Sequence, residues 1–234
     1  MPRRRRKHLA GVVYHVVNRA AKRSLLFDGA ADYDAFERVL SAAVERGGVA
    51  LYAYCFMPNH WHLLLSPTVD GSLSRFMHWL TTTHARRWQL NRGLDGHGAV
   101  YQGRFKDIPV ASDQHFLWVC RYLERNPLRA SLVERAEEWR WSSLTCRNSD
   151  RSQVPRLAEW PVARPDDWSS LVHTPQTRAE IEAFHRAVRT REPFGSEEWR
   201  KAFKARLNEP LPRRRGRRRR SECPQQMTPD PIYT

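Results

Sequence analysis

Two apolar runs face each other across the dipeptide Pro58-Asn59, and this arrangement constrains the fold more than any other feature of the chain. Residues 50–57 (ALYAYCFM) and 60–65 (HWHLLL) are aliphatic and aromatic, while Pro-Asn is turn chemistry, so the segment reads as an antiparallel β-hairpin. Side chains alternate faces along a strand. His60 and His62 are therefore expected on one face and Trp61 in the opposite layer. Two neutral imidazoles on a stiff support make half a metal site. Two histidines lining a polar sheet face satisfy the same pattern.

The hairpin sits in a regular alternation of strand and helix signals. Residues 11–18 (GVVYHVVN) are β-rich, and 31–46 carry Tyr33, Phe36, Leu40 and Ala43 at helical spacing. A helix over about 72–90 presents Leu73, Phe76, Met77, Leu80 and Trp88. The glycines at 93, 96 and 98 lead into a strand region, 99–110, in which Arg104 and Lys106 share a face. Residues 112–126 (SDQHFLWVCRYLERN) read as a helix capped by Ser112 and stopped at Asn126 by Pro127. The order strand, helix, strand, strand, helix, strand predicts an α+β fold with a ferredoxin-like antiparallel sheet. Helices are expected on one face of the sheet and a site on or beside the other.

In the 112–126 helix, Phe116, Val119, Cys120 and Leu123 form the core stripe. Tyr122 falls on its flank with Asn126 one turn later on the same side. The tyrosine hydroxyl is thus expected beyond the core beside an amide, although a structural tyrosine at a packing edge fits the spacing as well. Glu124 is expected on a solvated face. Trp139 and Trp141 are assigned to packing at the close of a domain spanning 1–147.

Prolines at 155, 161, 165 and 175 mark a linker over 148–175. A helical extension over 176–209 follows, opened by a Thr177/Glu180 capping box and containing Phe184, Trp199 and Phe203. It is too small to fold alone, so it docks on the main domain or orders on a partner.

The formal net charge is +15 over 234 residues, but its placement matters more. Arg3, Arg4, Arg5, Arg6 and Lys7 form one basic run. Arg213, Arg214, Arg215, Arg217, Arg218, Arg219 and Arg220 form another in the tail over 210–234. These twelve cations leave the body nearly balanced and read as arms for nucleic acid, with a membrane surface the lesser alternative. No apolar run reaches the roughly 18 residues of a membrane span. The N-terminal apolar stretch is broken by His15 and Asn18 and does not read as a signal peptide. Cys55, Cys120, Cys146 and Cys223 lack CxxC spacing and fit reduced thiols. A cytoplasmic, nucleoid-associated protein is expected.

The combination MPNHWHLLL, VYQGRFKDIPV, CRYLERNPLRASLVERAEEWRWSS, EPFGSEEW and the arginine-rich end resembles the REP-associated tyrosine transposases, a branch of the HUH single-tyrosine superfamily. The resemblance implies a DNA strand-transfer enzyme that nicks and rejoins single-stranded or hairpin DNA of the repetitive extragenic palindrome type. It implies a covalent 5′-phosphotyrosine intermediate and a divalent ion, Mg²⁺ or Mn²⁺. His60 and His62 match the paired metal ligands and Tyr122 the nucleophile. Asn126 matches the polar residue completing the site, where many relatives outside this branch carry Gln. Arg104, Lys106 and the two basic runs are the expected DNA contacts. Two rivals stand beside this reading. One is an inactive protein that only binds nucleic-acid hairpins. The other is a metal-dependent hydrolase using water, which needs further carboxylate ligands.

Overall fold

The computed structural model describes residues 6–94, 96, 98–147 and 154–208. Arg3, Arg4, Arg5, His97, Cys223 and the arginines at 213–220 lie outside the described residues. The strands are β1 (Val13–Arg19), β2 (Val49–Met57), β3 (His60–Pro67) and β4 (Lys106–Val110). The helices are α1 (Ala30–Glu45), α2 (Ser72–Asn91), α3 (Gln114–Glu124), α4 (Asn126–Arg129), α5 (Ser143–Arg147), α6 (Trp168–His173), α7 (Arg178–Thr190) and α8 (Glu197–Asn208). The sheet has the order β2-β3-β1-β4 with every pair antiparallel, the ferredoxin-like arrangement.

Register divides the sheet cleanly. Trp61, Leu63 and Leu65 of β3 join Tyr14 and Val16 of β1 in a core that α1 and α2 close with Phe36, Leu40, Met77 and Leu80. On the other face Val13, Leu64, Ile108 and Val110 pack against Phe116, Val119, Cys120 and Leu123 of α3. Trp168 of α6 and Phe184 of α7 join that second core. Helices therefore cover both faces rather than one. The second face is apolar over most of its area and must be buried. Toward the end marked by Arg19 and His60 it turns polar and opens into a cavity.

Three local expectations are corrected. Asp113, not Ser112, caps α3, because its carboxylate accepts from the backbone N–H of His115 at 2.7 Å. Pro127 does not end the helical path; Asn126-Pro127 opens the short α4, where the missing N–H of a first-turn proline costs nothing. The strand expected over 99–110 shortens to β4. Tyr101 bridges Ala20 while Lys106 pairs Val17, so residues 102–105 oppose only Asn18 and Arg19, and the surplus loops outward with Arg104.

Glu124 is the clearest departure. It is fully buried, accepting from Ser143 Oγ at 2.5 Å and Trp168 Nε1 at 2.7 Å. Burial pushes its carboxyl upward, and these two donors oppose the shift. The side of α3 that reads as solvated is covered by α5 and α6. The same later stretch pairs Ala158 N–H with the Leu51 carbonyl at 2.7 Å. Cys55 and Cys120 are buried free thiols, and Cys146 is buried with its Sγ 3.9 Å from the Pro155 carbonyl.

His84 of α2 is buried among Phe27 and Phe36, with Nδ1 2.7 Å from the Tyr101 hydroxyl. Desolvation lowers its pKa to about 3. Unfolding frees this imidazole to protonate near pH 6.5. The native state therefore binds fewer protons below that pH, and stability falls on acidification by up to ~1.4 kcal/mol per pH unit from this group. Urea titrations at pH 7 and pH 5 should show a smaller acid-induced loss in His84→Gln than in the wild type. Equal losses would show that His84 is not held neutral by the fold.

Candidate active site

At the open end of the second sheet face a cavity of about 590 Å³ gathers most of the predicted residues. His60 and His62 enter from β3, Tyr122 from α3 and Asn126 from α4, while Arg104 and Lys106 line it from the β4 side. β1 contributes His15, Val17 and Arg19, which its register sets opposite Leu64, His62 and His60. Arg19, Arg104, Lys106 and Arg129 are exposed cations around the cavity, and among the described residues no Asp or Glu lines it.

Hydrogen bonds fix how the imidazoles present their nitrogens. His60 Nδ1 lies 2.7 Å from Asn59 Oδ1, which only accepts, so Nδ1 carries the proton and Nε2 keeps its lone pair. His62 is buried, with Nδ1 2.9 Å from His15 Nε2, while its own Nε2 and the His15 Nδ1 have no protein partner. If His62 Nδ1 donates to His15, the His62 Nε2 lone pair faces the cavity, bare. Burial lowers all three pKa values: His15 to about 3, His60 to about 4, and His62 well below the usual range. Neighbouring imidazoles and arginines push in the same direction. All three are neutral near pH 7, the form that ligates metal.

Tyr122 is more enclosed than its flank position suggests. Its ring is buried against Phe184 at 4.7 Å, Trp118 at 5.6 Å and His62 at 5.9 Å between centroids. Only the hydroxyl region opens to the cavity. Arg129 Nη2 donates to that hydroxyl at 3.2 Å and to Asn126 Oδ1 at 2.7 Å, with its guanidinium carbon 4.4 Å from the Tyr122 ring centroid. Asn126 Nδ2 is buried without a partner. His185 of α7 places Nε2 2.9 Å from the Tyr122 oxygen.

The residues missed in the sequence are thus Arg129, His15, Arg19 and His185. Arg129 is detectable in principle, being three residues beyond Asn126 on the same helical path. His15 lies on a predicted strand at the right parity. Nothing local points to His185, which reaches the site only because α7 docks there. Of the basic N-terminal run, Arg6 is occupied within the fold, pairing with Asp107 and stacking on Phe105, and Lys7 donates to the Leu207 carbonyl at 3.2 Å. Tyr101, the other tyrosine of this region, faces the opposite core, where its hydroxyl meets Trp61 Nε1 and His84 Nδ1.

The donor set suits a cation with open positions. His60, His62 and Asn126 line one cavity, and His62 Nε2, which has no partner among the described residues, is the atom such an ion would satisfy. Among the described residues no group of three or more His, Cys, Asp or Glu side chains is placed to hold a metal. Any ion held here therefore receives no carboxylate or thiolate from those residues. None of their helices is long and apolar enough to cross a membrane.

A family model described as IS200-like transposase matches residues 8–126. The structure of a REP-associated tyrosine transposase bound to a REP hairpin resembles the chain at a TM-score of 0.51 and 17% identity, covering 68% of this chain and all of that one. A Deinococcus radiodurans structure described as a transposase gives a TM-score of 0.38 at 21% identity, over 52% of this chain and 95% of that one. No curated protein sequence matches.

Proposed function

The chain belongs to the IS200-like transposase family, and from that premise we propose that it cuts and rejoins single-stranded DNA through Tyr122. The observation that carries this reading is the shared cavity. The Tyr122 hydroxyl, the His60 and His62 imidazoles and four cations share a single space, and among the described residues no carboxylate lines it. A phosphodiester is anionic and repels nucleophiles, so a basic wall without competing acids suits it. Attack by the Tyr122 oxygen forms a Tyr–O–P bond at the 5′ phosphate and expels the 3′ oxygen. One phosphoester replaces another, so rejoining needs no ATP.

The ring of Tyr122 is held by Phe184 and Trp118, which keeps its oxygen at one place in the cavity. Arg129 donates a hydrogen bond to that oxygen at 3.2 Å and helps fix where it sits in the cavity. Arg19, Arg104 and Lys106 are the wall groups positioned to neutralise phosphates on either side of the scissile one. Hairpin DNA is the proposed substrate form, in keeping with the REP hairpin held by the structural neighbour.

His60 and His62, with the Asn126 carbonyl, would hold a divalent ion, Mn²⁺ readily and Mg²⁺ acceptably for imidazole and oxygen donors. When bound, such an ion polarises a non-bridging phosphate oxygen. The rival reading of a water-using hydrolase needs carboxylate ligands that the cavity wall lacks. The rival of a pure hairpin binder leaves the orphaned His62 Nε2 and the oriented hydroxyl without purpose.

Tyr122→Phe removes one oxygen at a cost of about 0.5–1.5 kcal/mol for the lost hydrogen bond, since the ring contacts remain. On a denaturing gel with a hairpin oligonucleotide carrying single-stranded flanks, the wild type should leave a protein–DNA adduct and Tyr122→Phe none. An adduct that persists in this variant would reassign the nucleophile. For the metal reading, His60→Ala and His62→Ala should each abolish cleavage while keeping most DNA affinity. Chelator should silence the wild type, and Mn²⁺ or Mg²⁺ should restore it. Asn126→Ala should raise the ion concentration needed for half-maximal rate. Full cleavage in excess chelator would dismiss a metal role for this site.

A further inference from the structure

Helix α7 belongs to the part of the chain beyond the matched family segment, yet it completes the surroundings of the Tyr122 hydroxyl. Its start is set by a capping box. Glu180 N–H donates to Thr177 Oγ1 at 3.3 Å, and Thr177 N–H donates to the Glu180 carboxylate at 2.8 Å. One turn later Phe184, buried to 1% exposure, inserts between Tyr122, Trp118, His15 and Phe194 at centroid distances of 4.7–5.1 Å. The insertion fixes the rotation of the helix, and the next residue, His185, comes to the rim of the cavity. A tight approach secures the far end of α7: a Cβ on Gly195 would lie 2.5 Å from Trp199 and 2.9 Å from Ala111, so the turn behind the helix has no slack.

The polarity of the hydrogen bonds at the Tyr122 oxygen is then determined. Arg129 can only donate, so the phenol oxygen accepts from it. The phenol proton must go elsewhere, and the other group the structure sets in hydrogen-bond contact with that oxygen is His185 Nε2, at 2.9 Å. An Nε2 carrying its own hydrogen would put two donors on the oxygen and leave the phenol proton without an acceptor there. In the tautomer with the proton on Nδ1 the bond runs from the phenol O–H to Nε2, with the imidazole lone pair aimed at the proton that must leave.

We propose that His185 is the general base of the strand-cleavage step, a role that rests on the reading of Tyr122 as nucleophile. As the Tyr122 oxygen bonds to phosphorus, its proton passes to His185 Nε2, and the P–O3′ bond breaks with its electron pair going to the 3′ oxygen. That oxygen takes a proton from solvent. In rejoining, an incoming 3′ hydroxyl attacks phosphorus and gives its proton to solvent, the Tyr–O–P bond breaks, and the imidazolium returns its proton to the departing phenolate oxygen. The surroundings support the assignment. Partial burial first, and the Arg129 charge second, lower the His185 pKa, so the ring is neutral and able to accept near pH 7. The side chain is also exposed at the rim, which lets the captured proton exchange with solvent. Among the described residues no carboxylate lines the cavity.

The test is His185→Gln, which keeps an oxygen acceptor but removes the basicity. The substitution sits at an exposed position and should fold, as circular dichroism and unchanged hairpin binding in chelator would verify. Single-turnover cleavage of the same hairpin oligonucleotide with Mn²⁺ should slow roughly 10²–10⁴-fold, the usual contribution of a general base. Replacing Tyr122 by a fluorinated tyrosine of lower phenol pKa should recover at least tenfold of that loss in His185→Gln, while moving the rate of the otherwise wild-type chain far less. A residue that merely packs would give a deficit indifferent to phenol acidity, and that result overturns the proposal. A rate equal to wild type overturns it, and so does a faster rate, which would mark α7 as an obstruction over the cavity. If the wild-type chain itself forms no adduct at Tyr122, the nucleophile reading fails, and this assignment fails with it. An adduct at Tyr122 with an unchanged His185→Gln rate fails the base alone.

Discussion

Strand β3 is hydrogen-bonded along both edges, to β1 and to β2, and its register against those neighbours governs everything built on it. Trp61 fills the first core completely, while His60 and His62 on either side of it open into the cavity. A slip of one residue would exchange these faces, driving two imidazoles into an aromatic core and an indole into the site. The apolar partners of Trp61 therefore hold His60 and His62 in place at the cavity. The same register carries His15 to the back of His62, where it orients the ring. The chemistry is supported from behind by packing, and its geometry is as rigid as the sheet.

Charge is organised with equal economy. The cavity wall is cationic and, among the described residues, without carboxylates, so its field favours an anion. Within that wall the histidines are kept neutral by burial and by one another, and they retain lone pairs for a cation or a proton. Arg129 links the halves of the site, donating to both the Asn126 carbonyl and the Tyr122 oxygen. The α7 extension then brings His185 Nε2 within hydrogen-bond distance of the phenol oxygen. A catalytic centre of this kind spans the chain from β1 to α7, well beyond the segment that carries the family's pattern.

How much of this was readable beforehand follows from the range of the forces involved. The hairpin, the His60/His62 face, the βαββαβ order and the Thr177 cap all rest on local periodicity and turn chemistry, and each stands as read. Tyr122 and Asn126 are one turn apart, so helical geometry brought them together. Glu124 failed because its environment comes from Ser143 and Trp168, residues whose docking no local pattern encodes. Arg104 failed as a strand residue because two extra residues between the Tyr101 bridge and the Lys106 pair force a loop. His185 lies 63 positions from the hydroxyl it meets, and only the burial of Phe184 beside it explains the meeting.

The central claim is that one oxygen in this chain becomes joined to DNA. Peptide mapping of the trapped complex addresses it directly. Wild-type protein is reacted with a hairpin oligonucleotide in Mn²⁺, digested with trypsin and nuclease, and the nucleotide-bearing peptide is sequenced by mass spectrometry. The account predicts the added mass on residues 122–125 (YLER), with the fragment ions assigning it to Tyr122. Mass on residues 93–104, which contain Tyr101, or on any other peptide would contradict it, as would cut DNA with no peptide attached.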